Sequence, residues 1–288
     1  MRRLGLQFVD LLLYGDFWIA ACATALVWQT QAVLLGEPRM TPLVVFVFFS
    51  TLFVYALHRS IGLRKMAAFS HAGRYRIITR FRHHIRLYAL IGGLAAAYFF
   101  WLLPGEVHRW VVLPGLSAIG YVLPVPGLRG RRLRDLPGIK IFLVAGSFAW
   151  VTVILPAVAH GLVGQWLVWA MACERALFIF ALTLPFDIRD LHIDVHSAVR
   201  TLPQVLGVRG AVRLAYGLLL VAGILALLLW RVDYYTGATA GGLCFTFGLS
   251  AYFIRWAPQR RHDYYFTGLL DGLLLLQAAV VMGAVALG

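Results

Sequence analysis

Apolar residues in this 288-residue chain run in long blocks rather than in the narrow stripes of a soluble amphipathic helix. Nine blocks are long enough, or nearly so, to cross a bilayer: 11–35, 42–58, 86–103, 107–124, 139–157, 162–185, 211–230, 235–254 and 268–287. The pattern predicts an all-α membrane protein, a single polytopic domain over 1–288 with nine transmembrane helices. The polar intervals between blocks are unequal. Those at 59–85, 125–138 and 186–210 are long, whereas GEPRMT at 36–41 is short. Alternate crossings put the three long intervals on one side of the bilayer, where they form helical cap loops of the kind that collect binding residues.

Composition agrees with this class, since 61% of the residues are apolar. The net charge of +14 first raises nucleic acid or membrane contact, and its placement decides between them. Of 26 Lys and Arg, only Arg39, Arg109 and Arg231 fall on the short-loop side, and Arg175 lies within a block. The excess is therefore positive-inside topology. It sets the N-terminus inside, the C-terminus outside and, in a bacterium, the chain in the cytoplasmic membrane, with the lipid bilayer as partner and no nucleic acid. Cys22, Cys173 and Cys244 are far apart in apolar blocks and form neither a disulfide framework nor a zinc pattern. Ile19-Ala20-Ala21-Cys22 has the form of a lipoprotein cleavage box, but apolar sequence continues well past Cys22 and reads as an uncleaved first span.

The chemistry concentrates in Thr183–Gly207, TLPFDIRDLHIDVHSAVRTLPQVLG. Asp187, Asp190 and Asp194 stand at spacings of three and four, within about one quadrant of a helix turning ~100° per residue. Arg189, His192, His196 and Arg200 fall on the other side, and no Arg or Lys lies three or four residues from any of the three acids. Their charge must be met by water, another helix or a cation. A hard divalent ion such as Mg²⁺ takes carboxylate oxygens and shares them with phosphates. The competing reading is a solvated loop face. Pro185 is expected to end or kink the sixth span just before the acids, and Thr201-Leu202-Pro203 to begin a new helix that suits Gly207 as its end.

Four charges fall inside spans: Asp16, Glu174, Arg175 and Asp271. Ionisable groups at that depth pair or line a cavity, so pairing of Arg175 with Asp271, Asp16 or Glu174 is expected to be structural. His192 and His196 stand one turn apart with no third ligand on their face, and read as loop histidines. Phe53, Tyr55 and Tyr121 lie near span ends, where aromatic rings serve either as belt residues or to stabilise a carbocation.

Nine spans with long loops after the second, fourth and sixth, together with Asp187-Ile-Arg-Asp190-Leu-His-Ile-Asp194 and Arg200-Thr-Leu-Pro-Gln-Val-Leu-Gly207, resemble the UbiA superfamily of intramembrane prenyltransferases. The Tyr121–Arg134 stretch, with its Tyr, Pro and clustered arginines, resembles the loop after the family's fourth span. The resemblance implies transfer of a prenyl group from a prenyl diphosphate to a lipophilic, possibly aromatic acceptor. It implies Asp187, Asp190 and Asp194 as metal ligands for Mg²⁺, and Arg200 with them as catalytic. Arg189, Arg132 and Tyr121 become diphosphate contacts.

The family's first aspartate motif should fall near Val54–Gly62, which reads VYALHRSIG, and no acid occurs between Glu37 and Glu106. The expectation is therefore a divergent prenyltransferase with one Mg²⁺ rather than two, in which His58 and Arg59 stand in for the lost half. The alternatives are a non-catalytic isoprenoid-binding relative and a transporter or scaffold that uses the intramembrane charges.

Overall fold

The computed structural model describes residues 9–65, 82–128, 130–191, 201–260 and 262–287, and every regular element among them is helical. The long helices are α1 (Phe17–Leu35), α2 (Pro42–Lys65), α3 (Arg82–Trp101), α4 (Gly105–Val122), α5 (Ile139–Ala159), α6 (Trp166–Arg189), α7 (Leu202–Arg231), α8 (Gly237–Trp256) and α9 (Tyr264–Leu287). Each expected block thus forms a helix, but only seven are long and apolar enough to cross a membrane. The two that fall short are α3, which opens Arg82-His83-His84, and α4, which carries Glu106, His108 and Arg109 in its first turns. Among the described residues, seven of the nine expected crossings meet that length and apolarity.

The described residues divide into two compact units, one of 1–24 and 40–103, the other of 25–39 and 104–288. In the first, α2 packs along α3. Gly92 makes that approach possible, because a Cβ there would lie 3.2 Å from both the Phe49 carbonyl oxygen and the Phe53 nitrogen. The first span does not start as one helix. A short helix at 9–14 breaks at Gly15-Asp16, where Asp16 adopts a positive φ of 67° and is buried. Aspartate is among the few side chains that tolerate this conformation.

In the second unit α7 packs on both α6 and α8, α5 on α6, and α8 on α9. The sequence of α7 explains its orientation. Ala211, Ala215, Leu219, Ala222, Ala226 and Leu229 recur every three or four residues and are buried, while Leu220, Val221, Ile224, Leu227 and Leu228 are exposed. Small residues facing the bundle and large apolar ones facing out suit a helix whose outer solvent is lipid. These features make the chain a multi-pass membrane protein.

Of the two outcomes expected at Pro185, a helix end is not the one that forms. Pro185 does not end α6, which continues to Arg189 and carries Asp187 within its last turn. Pro156 follows a π-helical turn at Trp150–Ile154, a common way for a membrane helix to absorb a missing backbone donor. Thr201 caps α7 with extended backbone, and Gly207 interrupts that helix with φ 71° and ψ 164°. Glycine alone reaches that region without strain.

Candidate functional site

The C-terminal end of α6 brings the chemistry together. Asp187 is 1% exposed, and its Oδ1 accepts a hydrogen bond from Lys140 Nζ at 2.5 Å, across to the first turn of α5. Asp190, which closes α6, accepts from its neighbour Arg189 through both oxygens, Nε to Oδ1 at 2.9 Å and a terminal nitrogen to Oδ2 at 3.1 Å. The other terminal nitrogen of Arg189 donates to Asp263 at 3.1 Å, just before α9. Its guanidinium also lies 5.2 Å from the Phe186 ring centre and 5.0 Å from that of Phe266. Arg189 is thus fixed by two carboxylates and two aromatic rings.

This arrangement corrects the sequence reading of the aspartate face. Helical spacing put Arg189 opposite the acids and left them without a local cation, whereas Arg189 turns back onto Asp190 and Lys140 reaches Asp187 from another helix. Asp194 and Arg200, with His192 and His196, lie outside the described residues. Lys140 and Asp263 are site or pairing residues that the sequence reading did not single out. One signal was available for Lys140, a lone lysine within Ile-Lys-Ile-Phe at the mouth of an apolar block.

The connection between α4 and α5 supplies the other arginines. Arg132 is bound to Asp135 through its backbone N–H, Nε and one terminal nitrogen, at 3.0, 3.0 and 2.8 Å. Partial burial pushes the Asp135 carboxyl up, but the Arg132 hydrogen bonds and the charges of Arg132 and Arg134 outweigh this and hold it below the usual carboxylate range. Arg134 lies 5.1 Å from the ring centre of Tyr121 in the last turn of α4, so of the expected diphosphate contacts Tyr121 ends that helix and Arg132 belongs to the connection that follows, braced by its own charges.

In the first unit the stretch that stands in place of the missing motif is also paired. Arg59 on α2 binds Asp16 through two nitrogens, Nε donating to Oδ2 at 3.2 Å. His58 precedes Arg59 on the same helix.

A further charged group is buried in the first half of α6. Glu174 and Arg175 are each 1% exposed; Glu174 Oε2 accepts from the Tyr235 hydroxyl at 2.9 Å, and one terminal nitrogen of Arg175 reaches the Leu26 carbonyl at 3.5 Å. Glu174 Oε1 and Arg175 Nε have no hydrogen-bond partner among the described residues.

The fit of this chain to Mg²⁺ is decided by its donor atoms. Mg²⁺ requires near-octahedral oxygen at about 2.0–2.1 Å. Of the two described aspartates of the motif, one has Oδ1 on an ammonium and the other has both oxygens on a guanidinium. Among the described residues no group of three or more His, Cys, Asp and Glu is placed to hold a metal. The described donors fit protein cations and do not fit a divalent ion.

No family model and no curated protein matches the chain. Solved structures do. A UbiA homologue from Archaeoglobus fulgidus bound to DMAPP and Mg²⁺ superposes with a TM-score of 0.64 at 12% identity, covering 95% of this chain and 99% of that one. An apo UbiA homologue from Aeropyrum pernix K1 gives 0.63 at 12%, covering 93% and 98%. A structure concerned with digeranylgeranylglyceryl phosphate synthase gives 0.58 at 13%, covering 100% and 99%. At such identity the likeness speaks for architecture alone, and the chain has the fold of the UbiA superfamily.

Proposed function

We propose that the chain is an intramembrane prenyltransferase that binds a prenyl diphosphate at the α6 end and passes its prenyl group to a lipophilic acceptor. The observation that carries this reading is the charged cluster of Lys140, Asp187, Arg189 and Asp190, set at the mouth of an apolar bundle with the UbiA fold. Such a position suits a substrate with a charged head and a hydrocarbon tail. The similar Archaeoglobus structures bound to GPP or to DMAPP with Mg²⁺ support that substrate class.

In the reaction the carbon–oxygen bond to the diphosphate breaks with both electrons on oxygen, the allylic carbon bonds to the acceptor, and the acceptor loses a proton. Negative charge grows on the leaving group. Donors held in place beforehand stabilise it best, because they need not reorganise as charge develops. In this chain those donors are Lys140 on α5 and, from the α4–α5 connection, Arg132 and Arg134; Asp187 and Asp190 orient Lys140 and Arg189. The described carboxylates already hold protein cations. The acceptor is excluded from water by the bilayer, which protects an allylic cation from hydrolysis.

A second reading, a non-catalytic isoprenoid-binding protein, is favoured by one observation: Arg59, where the first aspartate motif would stand, is already bound by Asp16. Pyrophosphate release from purified protein with geranyl diphosphate and a panel of aromatic acceptors separates the two. An enzyme releases pyrophosphate and slows at least about tenfold as Asp190→Asn, since a charge-assisted hydrogen bond of ~1.5–3 kcal/mol is lost. Binding without release establishes the second reading.

A further inference from the structure

We propose that Lys140 is the resident cation of the α6 aspartates: its ammonium fills the place on Asp187 that a divalent ion would take, so this end of the bundle binds prenyl diphosphate without Mg²⁺, and removing Lys140 creates a divalent-cation site. The ligand named here rests on the prenyltransferase reading above; the claim about Lys140 does not.

The first argument is one of occupancy. Asp187 lies out of water at 1% exposure, so its charge must be compensated within the protein, and Lys140 compensates it at 2.5 Å. A carboxylate so buried does not exchange partners cheaply. An arriving dication would have to displace the ammonium and then remain close to it, because Lys140 is itself only 16% exposed and follows directly on to the buried Ile141. Like charges held together in a weakly screened interior repel strongly.

A second argument concerns Asp190. Both of its oxygens accept from one guanidinium that two aromatic rings and Asp263 hold in place. Freeing it for a metal would release Arg189 from a paired, bidentate geometry that a planar guanidinium is built to form. The two described aspartates therefore take different cations from different directions, Lys140 from α5 and Arg189 from their own helix. With both cations in place no carboxylate of the pair is open to a metal; taking Lys140 away leaves the buried Asp187 carboxylate without its charge partner and open to a dication.

The third argument is chemical type. A lysine ammonium is a compact point charge with three donors, closer in character to a metal ion than a guanidinium is, and it serves as a phosphate ligand in other folds. Held by Asp187 and part exposed at the helix end, it is positioned to meet a phosphate oxygen as well.

Binding of Mn²⁺, followed by electron paramagnetic resonance on the purified full-length protein, tests the claim directly. Wild type and Lys140→Arg are expected to show no Mn²⁺ that depends on Asp187. Lys140→Met is expected to raise Mn²⁺ affinity by about tenfold or more, with Asp187→Asn added to the same variant abolishing the gain. If wild type binds Mn²⁺ and Asp187→Asn alone removes it, or if folded Lys140→Met binds no more than wild type, Lys140 is not the resident cation. Should Lys140→Met fail to fold, the wild-type against Asp187→Asn comparison still decides. Calorimetry with geranyl diphosphate, in chelator and then in Mg²⁺, is expected to give the same affinity, and a strict need for Mg²⁺ overturns the proposal. Absence of geranyl diphosphate binding in both conditions sinks the prenyltransferase reading instead, while the Mn²⁺ arms still judge Lys140.

Discussion

The two halves of α6 handle charge in opposite ways. At the Asp187 end every described carboxylate has a cation within hydrogen-bond distance, and the groups remain partly exposed apart from Asp187 itself. At the Glu174 end, 13 residues away and therefore ~20 Å along the axis, both charged side chains are fully buried and each keeps one unpartnered atom. The first pattern, with charges matched and oriented, is the one the proposed site rests on. The second is that of a buried cluster with incomplete pairing. Its partners, the Tyr235 hydroxyl and the Leu26 carbonyl, come from the α7–α8 connection and from α1, so that Glu174 and Arg175 tie three parts of the unit together. Burial alone does not separate the two kinds of cluster; completeness of pairing does.

The sharpest way to break this contrast is Arg175→Met. Removing one member of a buried charged set leaves the other uncompensated, and a loss of about 3–5 kcal/mol is expected, read as a lowered unfolding midpoint in detergent. Combining it with Glu174→Gln should restore much of the loss, since neither charge then remains. If Arg175→Met unfolds no earlier than wild type, the Glu174 end is solvated and the contrast fails. Pyrophosphate release by any variant that stays folded should be little changed, because the cluster lies far from the proposed site.

At the other end Asp187→Asn should cost less stability, about 1.5–3 kcal/mol for one charge-assisted hydrogen bond, because Lys140 keeps partial access to water. Its effect on turnover should exceed that on stability. A variant that loses the same stability as Arg175→Met and no activity would make the Asp187 end structural as well.

How far the sequence discloses these two ends depends on the range of the contacts. The apolar blocks marked the place of each helix, though α7 begins nine residues before its block and α2 runs seven past its own, because bilayer thickness sets the apolar length of a span and not the polar turns that extend it. The two weak spans, α3 and α4, differ through polar residues in their first turns. Asp187 and Asp190 were legible because their signal is local, a spacing of three on one helix. Their partners were not. Lys140 is 47 residues from Asp187, Asp263 is 74 from Arg189, and Arg59 is 43 from Asp16. No periodicity encodes such pairs; they exist because helices pack. Arg189 misled for a different reason: a long side chain at a helix terminus is not bound by the wheel that sorts residues into faces, and it curled back onto its own neighbour.

Tyr235→Phe sharpens the contrast further, at smaller cost. It deletes only the hydroxyl that donates to Glu174 at 2.9 Å and leaves the ring. A loss of about 1–2 kcal/mol is expected, because a second oxygen of a buried carboxylate then goes unpaired. The same unfolding scan measures it. A null result would mean that Glu174 is held by Arg175 alone.

The smallest effect should come from the most hydrated pair. Asp135 and Arg132 brace the α4–α5 connection with side chains 21% and 15% exposed. Because the folded Asp135 carboxyl sits below its unfolded value, the folded state binds fewer protons than the unfolded one near that range. The pair's contribution is therefore complete above the unfolded carboxylate value of about 4 and is lost as pH falls through the lower folded value. Against Asp135→Asn, wild type should hold an advantage of no more than about 1 kcal/mol near neutral pH, as ion pairs open to water do. That advantage should shrink on acidification below pH ~4 and show no change between pH 6 and 8. An advantage that instead fell between pH 6 and 8 would assign the bracing to a histidine-linked contact. One that exceeded the Asp187→Asn loss would break the rule drawn from α6, that charge counts for more as it leaves water and for function only where its pairing is complete.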